Sequence, residues 1–429
     1  MVGGKRGYVP GMTAPLTELT ARRLLSGFAA GDFTPVDAVR AALDRLDRIG
    51  SVRPEPGASP RPDASAALAR AEASAARWER GEPRGLLDGV PVTVEESLSP
   101  YEGTGGTEAP SAALLREHGA VLVGRTPARE PGPPGSARTS AVALGAGPLS
   151  LGTDGGGAIR VAASFSGVFG LKPTYGRVPH FPAGPFGVLA HVGPTARDAA
   201  DAALMLDVIS GPDRIRQEAE GGVEDGVKGL RIAYSPSFGG QVAVDPSVAS
   251  AVRGAVTALA GLGAYITEAD PDMADPVDAF RTLWSASAAR LAHRLGPGRR
   301  RSLDPALLET AAAGARISAV EYLAAEEARA GLERRMDLFH TSYDLLITPT
   351  VPVTAAGAAP GPRGRAGWPP FAYPFNMTRQ PAASVPCGVD ADGLPIGVQL
   401  IAARHADALV LRAAHALYEA GATAAPARS

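Results

Sequence analysis

Three consecutive glycines, Gly155 to Gly157, follow Asp154 inside the stretch LGTDGGGAIRVAASFSGVFGLKPTYGRV at 151–178. A run without Cβ atoms turns sharply and lets other groups approach its backbone closely. The AIRVAASF segment behind it is compatible with a helix, so the triplet sets a bare turn at a helix N-terminus. Free N–H groups point outward there and the helix dipole favours negative charge. The same glycines also suit a plain turn between a strand and a helix, and the surrounding sequence has to decide between the two readings.

That surrounding sequence alternates strand and helix signals. Thr34-Pro35 gives a hydroxyl cap with proline in the first turn, and Val36, Val39, Leu43 and Leu46 then share one face, with Gly50 expected to end the helix. An alanine-rich helix from about Ser65 to Arg80 leads into a strand at Val90 to Val94. Farther on, LRIAYS reads as a strand, Ser247 to Leu262 as a helix and AYITEA as a strand, an alternation that suits a wound sheet. Strands around Val385 to Leu400 are joined at Asp392-Gly393. A large α/β sheet can occupy all 429 residues as one unit. The division expected is a disordered N-terminus at 1–14 and a single α/β domain at 15–429, its mixed central β-sheet covered by α-helices.

The 151–178 stretch resembles the signature segment of the amidase signature family, the group of fatty-acid-amide-hydrolase-like amidases, which carries GTDxGGSIR, a small-residue helix and GLKPTxGRV. VGPTARDAADAALMLDVISG and YDLLITPTVPV extend the resemblance, which covers roughly Leu16 to Glu419. It implies a mixed sheet under helices and amide hydrolysis or transfer by a Ser, cis-Ser, Lys triad. Carried over residue by residue, all three triad positions are changed. The nucleophile's place is Ala158, which has no oxygen to attack a carbonyl. Counting back 24 residues to the cis-serine's place reaches Pro134. GVPVTVEES puts Glu95 where the family has lysine. The resemblance also implies that loops walling the family's active site are shortened here, since PGPPGS follows Glu130 at once.

What remains defines the candidate site. Glu95, in the lysine's place, is a candidate acid or base, expected partly buried near the Gly155, Gly156 and Gly157 amides. Burial would raise its pKa and amide hydrogen bonds would lower it; a tolerated carboxylate in a decayed pocket fits the same residue. Adjacent strand residues point to opposite faces, so at most one of Glu95 and Glu96 faces the cleft. Thr153, Asp154 and Arg160 match positions that brace the signature turn. Ser136 and Ser140 lie near the missing cis-serine, and His180 and His191 flank a loop that could line the pocket. Cys387 reads as a small core residue.

Composition excludes several partners. With 42 basic against 44 acidic residues there is no electrostatic case for nucleic acid or a membrane surface. The single cysteine rules out an internal disulfide and fits a reducing compartment. No signal-peptide pattern or membrane-length apolar run is read, so a cytoplasmic protein is expected. The seven histidines show no metal spacing and no cofactor is expected. Two functions fit: a pseudoenzyme binding a small-molecule or protein ligand in the retained cleft, with a homodimer open, or a cleft repurposed for cyclisation, rearrangement or acid–base chemistry in specialised metabolism.

Overall fold

Ten strands form one mixed sheet in the order β2-β1-β3-β5-β4-β9-β10-β8-β6-β7, in a computed structural model that describes residues 14–52, 64–98, 108–126, 140–180, 186–211, 223–295, 300, 303, 305–356 and 368–423. The strands are β1 (Pro91–Glu95), β2 (Val121–Thr126), β3 (Leu149–Asp154), β4 (Phe169–Lys172), β5 (His191–Ala196), β6 (Arg231–Tyr234), β7 (Tyr265–Glu268), β8 (Leu345–Pro349), β9 (Ala382–Val389) and β10 (Pro395–Ala402). Parallel pairs at the two ends, β2/β1/β3 and β8/β6/β7, flank an antiparallel middle. The expected 1–14 disorder falls almost wholly outside the described residues.

The first helices are α1 (Ala21–Ala30), α2 (Pro35–Val52), α3 (Ala64–Glu79) and α4 (Pro110–Glu117). Thr34 and Asp37 cap α2 reciprocally: Asp37 N donates to Thr34 Oγ1 at 3.2 Å and Thr34 N to Asp37 Oδ2 at 3.0 Å. Its predicted apolar face packs Val39 and its neighbours against Val121 and Val123 of β2. Gly50 does not end the helix, which runs on to Val52. A single interior glycine costs a helix only about 1 kcal/mol, too little to stop it.

The central helices are α5 (Ala158–Ser166), α6 (Ala199–Ser210) and α7 (Pro246–Gly261). α5 lies close on the middle of the sheet because the strands beneath it are cut back to glycine. A Cβ on Gly170 would come within 2.6 Å of the Ala163 Cβ, and one on Gly397 within 2.6 Å of the Ser164 hydroxyl. Asp201 of α6 accepts from the amides of Ala21 and Arg22 at 2.6 and 3.1 Å, tying the start of α1 to the core. The remaining helices are α8 (Val277–Arg294), α9 (Pro305–Gly314), α10 (Ala319–Phe339), α11 (Pro374–Met377) and α12 (Asp407–Glu419). None of the described helices is long and apolar enough to cross a membrane.

Candidate functional site

The strand ends place the site. β1 and β3 run parallel with Val94 opposite Leu151, which brings the Glu95 side chain beside Thr153. Its carboxylate accepts from Thr153 N at 2.7 Å, from Thr153 Oγ1 at 2.7 Å and from Ser97 Oγ at 2.5 Å. Burial raises its pKa, and the Ser97 and Thr153 hydrogen bonds offset part of that rise. Both opposing effects anticipated from sequence operate, and burial wins. The partners differ from the expectation. Glu95 is held by Thr153 and Ser97, with no hydrogen bond to Gly155, Gly156 or Gly157 among the described residues, because the strand register sets its oxygens against Thr153, short of the triplet. Glu96 leaves the strand and begins a short 3₁₀ turn over Glu96–Leu98.

The glycine turn caps α5 as read, but its amides are not equivalent. Gly157 adopts φ +116°, where a Cβ would also meet Ala372 at 2.7 Å. Its amide donates to Asp154 Oδ1 at 2.7 Å and so is taken. That corrects the expectation of three free amides. Gly155 and Gly156 N–H groups have no partner among the described residues. The triplet is buried, because aromatic rings pack over it. A Cβ on Gly155 would come within 2.8 Å of the Phe186 ring, and one on Gly156 within 3.1 Å of Phe280 and 3.3 Å of Trp368. Phe186 stacks on Trp284 at 3.9 Å, and Trp284 meets Trp368 at 4.6 Å. Beyond Trp368 a 340 Å³ cavity is lined by Phe238, Met273, Pro352 and Tyr373 among others. Sequence reading missed this cover, because Phe186, Trp284 and Trp368 come from segments far apart in the chain with no local signal that they meet.

Behind the turn lies a closed polar network. Arg160, fully buried, spends all five guanidinium donors: on Asp154 Oδ2 and Oδ1 at 3.0 Å each, Ala372 O at 2.9 Å, Gln399 Oε1 at 2.8 Å and Asn376 Oδ1 at 2.6 Å. Asn376 returns its amide to Asp154 O and Leu189 O at 2.7 and 3.1 Å. Burial alone would raise the Asp154 pKa, yet the Arg160 charge and these hydrogen bonds hold it well below the carboxylate range. Lys172, also buried, donates to the carbonyls of Pro173 and Gln380, and burial and the Arg160 charge lower its pKa far below the usual lysine value. The bracing role read for Asp154 and Arg160 is what the geometry gives. Thr153 braces Glu95 instead.

The other predicted residues disperse. His180 and His191 line one 150 Å³ cavity with Tyr175 and Gly187, and neither Glu95, Ala158 nor the glycine triplet lines it. That cavity forms because the 174–180 segment folds against the start of β5 and not over the end of β1. Burial lowers both imidazole pKa values, disfavouring the charged rings. His191 Nδ1 bonds Leu189 O at 2.9 Å. Ser140 Oγ accepts from Val142 N at 3.2 Å, a local turn contact. Cys387 packs against the main core, its thiol pushed up to about 12 by burial. Pro134 and Ser136 lie outside the described residues, as do the shortened loops. Ala158 is the first residue of α5, half-buried, and presents a methyl group.

A glycine turn opening a helix on a mixed sheet, braced from behind by an Asp–Arg–Asn network, defines an amidase-type α/β protein. The Amidase family profile matches residues 127–411. The chain is 32% identical to an acylamidase of Rhodococcus erythropolis, over 92% of this chain and 94% of the relative. It is 31% identical to a component of the glutamyl-tRNA(Gln) amidotransferase of Gloeobacter violaceus, over 93% of this chain and 96% of that one. In fold it superposes on a bacterial aryl acylamidase with a TM-score of 0.81 at 23% identity, covering 95% of this chain and 97% of the other. The chain belongs to the amidase signature family. Its alignment with the acylamidase spans 457 positions, more than its own 429 residues, so that relative carries segments this chain lacks.

Proposed function

We propose that this family member no longer hydrolyses amides through a Ser, cis-Ser, Lys triad and instead binds a small amide- or acid-like ligand beside the glycine turn. The observation that carries the reading is Ala158: the side chain at the first position of α5 has no nucleophilic atom. Glu95 supports it, since the carboxylate that the resemblance puts in the lysine's place is committed to Thr153 and Ser97. The two unpartnered amides of Gly155 and Gly156 and the 340 Å³ cavity that shares Trp368 with the turn supply a place for a ligand's oxygen and its apolar body.

Binding is read through Trp284 and Trp368, two of the three tryptophans. Titration with an aryl amide and with the matching carboxylic acid is expected to shift tryptophan emission saturably while chromatography finds the amide intact. Steady release of amine overturns the proposal.

A second reading rests on one observation: Glu95 has its pKa raised by burial and sits beside two hydroxyls, the setting of a working acid or base. In that case the cleft performs non-hydrolytic proton-transfer chemistry, such as a cyclisation or rearrangement. Glu95→Gln then removes conversion by about a hundredfold or more in a pathway extract. An unchanged yield rules this second reading out.

A further inference from the structure

At the other end of β1 from Glu95, four arginines converge on one cavity of 370 Å³. Arg70 and Arg77 stand two helical turns apart on one face of α3, Arg84 comes from the loop that follows, and Arg116 from the last turn of α4. Among the described residues, the only acidic one lining the cavity is Glu117. We infer that this cavity is a binding site for a small phosphate-bearing molecule, distinct from the glycine turn.

Three features carry this. The frame is fixed in advance: Asp88, fully buried, accepts from Ser74 Oγ at 2.9 Å, from Arg77 Nε at 2.9 Å and Nη2 at 2.5 Å, and from the Arg84 amide at 2.8 Å. One carboxylate thereby sets the Arg77 head group and anchors the backbone from which the Arg84 side chain leaves, so binding has to order only the Arg84 head group. Charge is left over as well. Arg77 is paired with Asp88 and Arg116 with Glu108, whereas Arg70 and Arg84 have no ion pair among the described residues. Two guanidinium groups therefore meet a single glutamate. Finally, the carbonyls at the end of α4, which would repel an anion, are occupied: His118 N donates to Leu114 O, Ala120 N to Leu115 O and Gly119 N to Arg116 O, at 2.9–3.0 Å.

A phosphate group carries more negative charge and more acceptor oxygens than a monocarboxylate, so several guanidinium forks can engage it at once, which favours phosphate here. At about 30 Å³ per water the cavity holds roughly a dozen waters, room for a diphosphate or a sugar phosphate and too little for a folded polyanion.

The test is calorimetric titration of the full chain with inorganic pyrophosphate, with a sugar phosphate and with acetate, at low and at physiological salt. The expected result is saturable one-site binding of a phosphate compound and none of acetate, weakened about tenfold or more in Arg70→Ala/Arg84→Ala. Preference for the sugar phosphate identifies an organic phosphate ester as the source, and preference for pyrophosphate an inorganic one. Arg70 and Arg84 are exposed, so the double variant should melt with the wild type. Absence of phosphate binding, equal binding of acetate, or undiminished binding in a folded double variant each overturns the proposal.

Discussion

The two sides of the glycine turn have opposite characters. Behind it, Asp154, Arg160, Asn376 and Gln399 are buried and joined by hydrogen bonds that use every donor of the guanidinium group. In front stand a methyl group at Ala158 and a carboxylate at Glu95 that bonds its neighbours. A buried ion pair stripped of one partner costs several kcal/mol, whereas a half-buried side chain at a helix start costs little to change. The back of the turn is held in place by stability, and the front is constrained only by chemistry. On the proposed reading, an amidase frame that loses its chemistry changes at the front first, where this chain carries Ala158 and Glu95.

The largest effect belongs to the back. Arg160→Ala leaves Asp154 buried without its charge partner and is expected to cost about 3–5 kcal/mol in urea unfolding. A loss under about 1 kcal/mol would mean that the network is ornamental and the contrast false.

Acid titration sharpens the comparison, because the two carboxylates shift in opposite directions. Asp154, held below its ordinary 3.8, contributes stability that is present above that pH and is lost as pH falls through its lower folded value. Glu95, raised above its ordinary 4.5, contributes stability that is full below that pH and is lost as pH rises through its folded value. Asp154→Asn should therefore destabilise the protein near pH 7 by roughly 2–3 kcal/mol. Glu95→Gln should leave it unchanged at pH 4 and raise stability above the folded pKa. Melting curves carried from well below the ordinary aspartate value of 3.8 up to neutral pH check both; equal slopes in the two variants would contradict the assignment.

The smallest effect is at the front. Ala158→Ser is expected to change stability by no more than about 0.5 kcal/mol and to restore no amide hydrolysis, since triad members act as a unit and the family resemblance puts Pro134 and Glu95 at the partner positions. Hydrolysis well above background in this single variant would reveal a base not recognised among these residues.

How much of this could be read from sequence follows from range. The glycine turn, the α2 cap at Thr34 and the Asp392-Gly393 hairpin are set by residues close in the chain, and they stand where the sequence placed them. That Ala158 and Glu95 stand where the family has serine and lysine is what the resemblance implies. The Glu95 partners were not, because they depend on the β1–β3 register across a separation of 58 residues. Nor was the cover of Phe186, Trp284 and Trp368, which comes from segments with no local signal of their meeting. His180 and His191 fell together as their positions suggested, yet in a different cavity from the turn. The Arg70, Arg77, Arg84 and Arg116 cluster draws on three elements, and only the fold assembles it.

The most direct test of the central claim is the intact mass of the wild-type protein after prolonged exposure to an excess of a fluorophosphonate. A serine poised by an amidase triad is phosphonylated; a chain with Ala158 at the nucleophile position and Glu95 at the lysine position should keep its unmodified mass. A stoichiometric adduct that maps to a serine beside the glycine turn, and that disappears when an amide substrate competes, would contradict the account.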